Sequence, residues 1–112
     1  MTLLETYLRG IADRSDSYFQ AHLAREDLVR VRKLAEMAAA IGDPEKLRHD
    51  ALYIGWTPGD LRTIELKDQL LPLIDAFHAA AASPADEVVE QRIMDRWKAF
   101  HEARIRVLIH CL

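Results

Sequence analysis

Apolar residues in this chain recur at helical spacing from its first turn. Leu4, Leu8 and Ile11 form a stripe, with Leu3 and Tyr7 beside it. The polar run Asp13 to Ser17 interrupts this stripe, which resumes in phase at Tyr18 and His22. It continues through Leu28, Val31, Leu34, Ala38 and Ile41. Ser17 and Gln20 match a capping box. Two readings stay open: one long bent helix over residues 2–41, or two helices with a break near 14–17. Gly42 is expected to supply a left-handed stop.

Three further helix starts carry one signature. Asp43-Pro44-Glu45, Thr57-Pro58-Gly59-Asp60 and Ser83-Pro84-Ala85-Asp86 each place a capping oxygen before a proline, with acidic residues following. Proline loses nothing there, because the first N–H groups of a helix lack intrahelical acceptors. Thr57 is expected to act as a cap unless packing of Trp56 takes over that corner. The elements read as 44–54, 58–82 kinked at Pro72, and 84–108. The chain is therefore expected to be all-α: one compact bundle of four to five helices, and one domain over 1–112. Leu8, Ile11, Phe19, Leu23, Val31, Leu34, Leu61, Ile64, Leu71, Ile74, Phe77, Ile93, Trp97 and Phe100 are the expected core.

Half of the 112 residues are apolar and 29% are charged, a globular balance. The formal net charge of −3 gives no overall basic signature for nucleic acid. A single cysteine, Cys111, forms no internal disulfide and suits a reducing compartment. Glu5 precedes any long apolar run, and no apolar stretch approaches ~20 residues. A cytoplasmic protein with no membrane span and no cofactor is the expectation.

The C-terminus is unusually apolar. Ile105, Val107, Leu108, Ile109, Cys111 and Leu112 crowd the last eight residues. Chain ends are ordinarily polar and frayed. Such an end packs on its own bundle or on a partner, and Ile105, Leu108, Ile109 and Leu112 are the candidate interface.

Candidate chemistry is sparse. Asp75 and His78 have the i, i+3 spacing of metal ligands, but the chain has no Glu-x-x-His pair. His22 with Glu26 and Glu45 with His49 are i, i+4 pairs that resemble ordinary surface contacts. No metal site is therefore assigned. Arg25, Arg30, Arg32 and Lys33 gather on the second element, diluted by Glu26, Asp27 and Glu36. Arg92, Arg96, Lys98, Arg104 and Arg106 gather on the last. Its acidic residues come early and its arginines late, as the helix dipole favours.

Short stretches resemble known families. Arg96 to His101 is similar to the Arg-x4-His pattern of HEPN ribonucleases, which implies a phosphate-holding Arg96 and a proton-moving His101. Trp97 stands where those proteins usually place a polar residue. Leu8 to Asp16 and Asp43 to Arg48 resemble helical chorismate mutases, which implies Arg9, Arg25 and Lys33 as carboxylate clamps. Glu26 and Glu36 depart from that pattern, standing where those enzymes carry cations. Tyr53 to Arg62 is similar to a corner of YjiS-like bacterial proteins, without their richness in arginine.

The leading functional expectation is a small interaction or regulatory module, self-associating as a homodimer or binding another protein, with no assembled catalytic site. One alternative is an RNA or phosphate-ligand binder using Arg92, Arg96 and His101 of the last helix. Another is a bundle enzyme or metal protein built on His22, His78 or His101.

Overall fold

The computed structural model describes residues 2–57, 60, 62–83 and 86–110. They form five helices: α1 (Leu3–Arg14), α2 (Tyr18–Ala40), α3 (Pro44–Ala51), α4 (Lys67–Ala82) and α5 (Glu87–His110). No strand occurs among the described residues. The all-α expectation is met.

The break in the first apolar stripe is real. α1 starts on Thr2, whose hydroxyl accepts from the Glu5 N–H. It ends at Arg14, and α2 begins on Ser17, whose hydroxyl accepts from the Gln20 N–H at 3.2 Å. The two helices run antiparallel. Arg25 Nη1 donates to the Ala12 carbonyl at 3.3 Å, while Arg32 faces Glu5 at 3.6 Å, so the pairing order reverses. The turn also resets the helical phase. Tyr18, Phe19 and His22 therefore stay exposed, and Ala21 and Ala24 turn inward instead. Phe19, expected in the core, is 48% exposed.

Other boundaries differ from the local signals. α2 ends through an extended Ile41, whose N–H bonds the Met37 carbonyl. Gly42 lacks the positive φ expected of it, and Gly55 (φ 90) has one. Asp43 does cap α3. The fourth helix begins at Lys67 rather than 58, because Thr57 is drawn into the interior. Its hydroxyl lies 3.0 Å from that of Thr63, both residues being buried. Asp60 takes a left-handed φ of 56, and turns carry the chain from Arg62 to Leu66. These turns bury Thr63 and Leu66 and leave Ile64 64% exposed, against expectation. The last helix begins at Glu87 rather than 84. Asp86, not Ser83, is its cap, and its carboxylate accepts from the Val88 N–H at 2.8 Å. Pro58, Gly59, Leu61, Pro84, Ala85, Cys111 and Leu112 lie outside the described residues.

α4 is the hub, packing against α2, α3 and α5, and α1 closes the bundle against α2 and α5. It continues through Pro72, which offers no N–H to the Asp68 carbonyl. One cluster of buried apolar residues draws on all five helices, including Leu8, Leu34, Leu47, Ile74 and Phe100. The corner after α3 is held by Trp56. Its indole N–H donates to the Ala51 carbonyl at 2.9 Å, and its ring meets Phe100 edge-on at 5.4 Å.

Candidate functional site

Polar atoms inside this core converge on one carboxylate. Asp27 of α2 and Arg104 of α5 are both fully enclosed, at 0% exposure. Arg104 donates twice to Asp27, from Nη1 to Oδ1 at 3.0 Å and from Nη2 to Oδ2 at 2.8 Å. Trp97 Nε1 donates to Oδ2 at 2.9 Å, and Arg30 Nη1 to Oδ1 at 2.9 Å. Each carboxylate oxygen thus accepts two bonds, which is its capacity. Burial pushes the Asp27 carboxyl up. The Arg104 charge, the bonds from Arg104 and Trp97, and the Arg30 charge outweigh it and hold the group below its usual value.

Arg104 carries the network outward. Its Nη2 lies 2.7 Å from His101 Nδ1. A guanidinium only donates, so Nδ1 is the acceptor and the imidazole proton is assigned to Nε2. Nε2 then donates to Gln20 Oε1 at 3.0 Å. The His101 ring stacks on Trp97, with centroids 4.7 Å apart and planes 11° apart. Burial and then the Arg104 charge push His101 down to about 4, against the pull of Asp27. The ring is therefore neutral near pH 7. Arg104 Nε is buried and has no hydrogen-bond partner among the described residues.

Above this network lies an open groove of about 960 Å³, between α1, the start of α2 and the middle of α5. Tyr7, Ile11 and Trp97 give it an apolar wall, and Arg14, Gln20, Lys98, His101 and Glu102 supply its polar atoms. Gly10 shapes it. A Cβ there would stand 2.9 Å from Arg14 Nη2, so the bare glycine lets that guanidinium fold back over the helix. Glycine inside a helix costs up to about 1 kcal/mol relative to alanine, and here it makes room. Lys98 Nζ sits 5.0 Å from the centroid of the Tyr7 ring, and Tyr7 meets Trp97 edge-on at 5.9 Å.

The other candidate residues lie elsewhere. Arg92 and Arg96 share two shallow depressions, one with Gln91 and Asp95, the other with Pro72 and Asp75. Neither arginine lines the groove that holds His101. Asp75 is engaged by Arg48 through two bonds, at 2.7 and 3.0 Å. His78 Nε2 lies 3.1 Å from the Gly42 carbonyl. His22 is exposed and stacks on Tyr18. No group of three or more His, Cys, Asp or Glu positioned for a metal ion occurs among the described residues. Arg9, Arg25 and Lys33 are all exposed and do not line the groove. Ile105 and Leu108 are partly buried and Ile109 is 60% exposed, on a helix that continues to His110. Leu112 lies outside the described residues. No helix of the described residues is long and apolar enough to cross a membrane.

Sequence reading grouped Asp27 with surface charges and Arg104 with dipole-matched arginines, and both assignments are corrected by their burial. A signal was present. Asp27 falls in the series Ala24, Asp27, Val31, Leu34, Ala38, and Arg104 in the series Ile93, Trp97, Phe100, Arg104, Val107. Each is a lone charge on an inward phase, and the two are opposite in sign.

Comparison with known protein families, with curated proteins and with solved structures finds nothing that matches this chain.

Proposed function

We propose that this chain is a small binding module, and that the groove between α1 and α5 is its recognition site. One observation carries this reading. The groove is concave, has an aromatic wall and convergent polar groups, and rests on a buried network in which both oxygens of Asp27 are fully bonded. Recognition is favoured over catalysis by the state of His101. Its Nδ1 is occupied by Arg104, and its low pKa leaves a weak base. Asp27 is sealed beneath it. The lone thiol supports placing the module in a reducing, cytoplasmic setting.

A screen of small molecules by amide NMR on the full chain tests the site. Binders should shift the resonances of Gly10, Gln20, Lys98 and His101 together. A screen whose binders all perturb other surfaces, or that finds none, rejects the groove as the site.

A second reading is self-association through the end of α5, favoured by the exposure of Ile109 beside Ile105 and Leu108. Two-fold symmetry lets one apolar patch serve both copies. Sedimentation at micromolar concentration should then give a dimer mass that Ile109→Asp reduces to a monomer. A monomer mass for the unaltered chain rejects this reading.

A further inference from the structure

We infer that the ligand of the α1–α5 groove is a small organic anion, a flat apolar ring carrying a carboxylate or phosphate group. This rests on the groove being the binding site.

Arg30, Arg32, Arg48 and Arg104 each meet a carboxylate. Arg14 and Lys98, the two cations lining the groove, form no ion pair or hydrogen bond among the described residues. Against them stands one lining carboxylate, Glu102, so two positive charges less one negative leave the groove with an excess of one positive charge. The guanidinium is the side chain best shaped to take two oxygens of one carboxylate or phosphate. Gly10 strengthens the assignment. The position disfavours glycine as a helix residue, and the space it leaves is filled by Arg14 Nη2. Lys98, held over Tyr7, brings the second cation to the same groove.

The rest of the wall selects the body of the ligand. Tyr7 is 40% exposed and Ile11 is partly exposed, so both offer apolar surface to the groove. The half-buried His101 ring, already stacked on Trp97, adds an aromatic edge. A flat ring covers these surfaces while its acidic group reaches Arg14. A larger polyanion would meet Glu102 without using the apolar wall.

Benzoate, phenyl phosphate and benzyl alcohol are the probes, titrated at neutral pH into the full chain and followed by amide NMR. At least one anion should bind through Gly10, Gln20 and His101 at least about ten-fold more tightly than the alcohol. The tighter of the two anions identifies the acidic group. Arg14→Gln should weaken that binding about ten-fold or more, and Lys98→Gln in the same direction. Arg14 is exposed, so the variant is expected to fold, and circular dichroism checks this; Lys98→Gln serves as the second variant. Equal affinity for alcohol and anions, or anion binding indifferent to both substitutions, overturns the proposal. If the alcohol binds in the groove and neither anion does, the groove remains the site and only its ligand class is wrong. If no probe perturbs the groove, the proposal fails, and the wider screen decides the site.

Discussion

Arg104 grips Asp27 with two parallel hydrogen bonds, at 3.0 and 2.8 Å, across the interior from α5 to α2, and neither residue is exposed. A buried ion pair adds little stability over well-packed apolar residues, because desolvation offsets the attraction. Removing one partner is another matter, since the survivor is left charged and unpaired. Asp27→Asn or Arg104→Met should each lower stability by about 3–5 kcal/mol in urea unfolding. Asp27→Leu with Arg104→Met together should recover most of that loss. Additive losses in the double variant would show that the two side chains are not coupled.

Trp97 has two separable roles, packing and donation. Trp97→Phe keeps an aromatic ring on His101 and removes the bond to Asp27, which should cost about 1–3 kcal/mol. Trp97→Ala also opens a cavity and should cost about 3–5 kcal/mol. Phe77→Ala, which deletes a buried ring of α4, belongs in the same range. Equal melting temperatures for the Trp97→Phe variant and the unaltered chain would remove the indole bond from the account.

The pH dependence follows from His101. Its pKa falls from 6.5 in the unfolded chain to about 4 in the folded one, so the unfolded chain binds the proton more tightly. Its contribution to stability is complete above 6.5 and is lost as the pH falls from 6.5 towards 4. The ring is only half-buried, and solvent screening limits the loss to about 1–2 kcal/mol. The Arg104 charge and the bonds from Arg104 and Trp97 outweigh burial and hold the Asp27 carboxyl below the usual carboxylate range. Comparing urea midpoints at the two ends of the window should show a smaller drop for His101→Gln than for the unaltered chain.

Gly10 should trade stability against recognition. Gly10→Ala removes an unfavourable helix residue and should raise stability by about 0.5–1 kcal/mol. The new methyl meets only the end of the flexible Arg14 side chain, which can swing away. Anion binding should weaken in the same variant. A stabilised variant that retains full affinity would separate Arg14's position from binding.

The helix caps give a local check. Asp43→Ala and Asp86→Ala should each cost about 0.5–2 kcal/mol in thermal unfolding. Ser83→Ala should be close to neutral, because α5 starts four residues beyond it, at Glu87, with Asp86 as its cap. A larger effect at Ser83 than at Asp86 would move the start of the helix.

The sequence by itself determined the all-helical class and the cap at Asp43, because caps and helical periodicity are short-range and each residue acts on its neighbours; it left one helix or two open over residues 2–41, and the structure places the break before Ser17. The sequence also placed Trp97, Phe100, Ile74 and Phe77 inside, since large apolar residues on one helical face have nowhere else to go. Tertiary structure decided the rest. Thr57-Pro58 carries a sound capping signal, yet burial of Trp56 and Thr57 pulls that corner into turns and delays α4 to Lys67. Phase could not be carried across the turn at residues 15–17, which is why Phe19 faces outward. The pairing of Asp27 with Arg104 spans 77 residues, and no local rule reaches that far. Each charge is costly inside the core alone and tolerated only opposite the other, so their burial follows from the packing of α5 near α2. The groove is decided in the same way, because α1 and α5 contribute its walls from opposite ends of the chain.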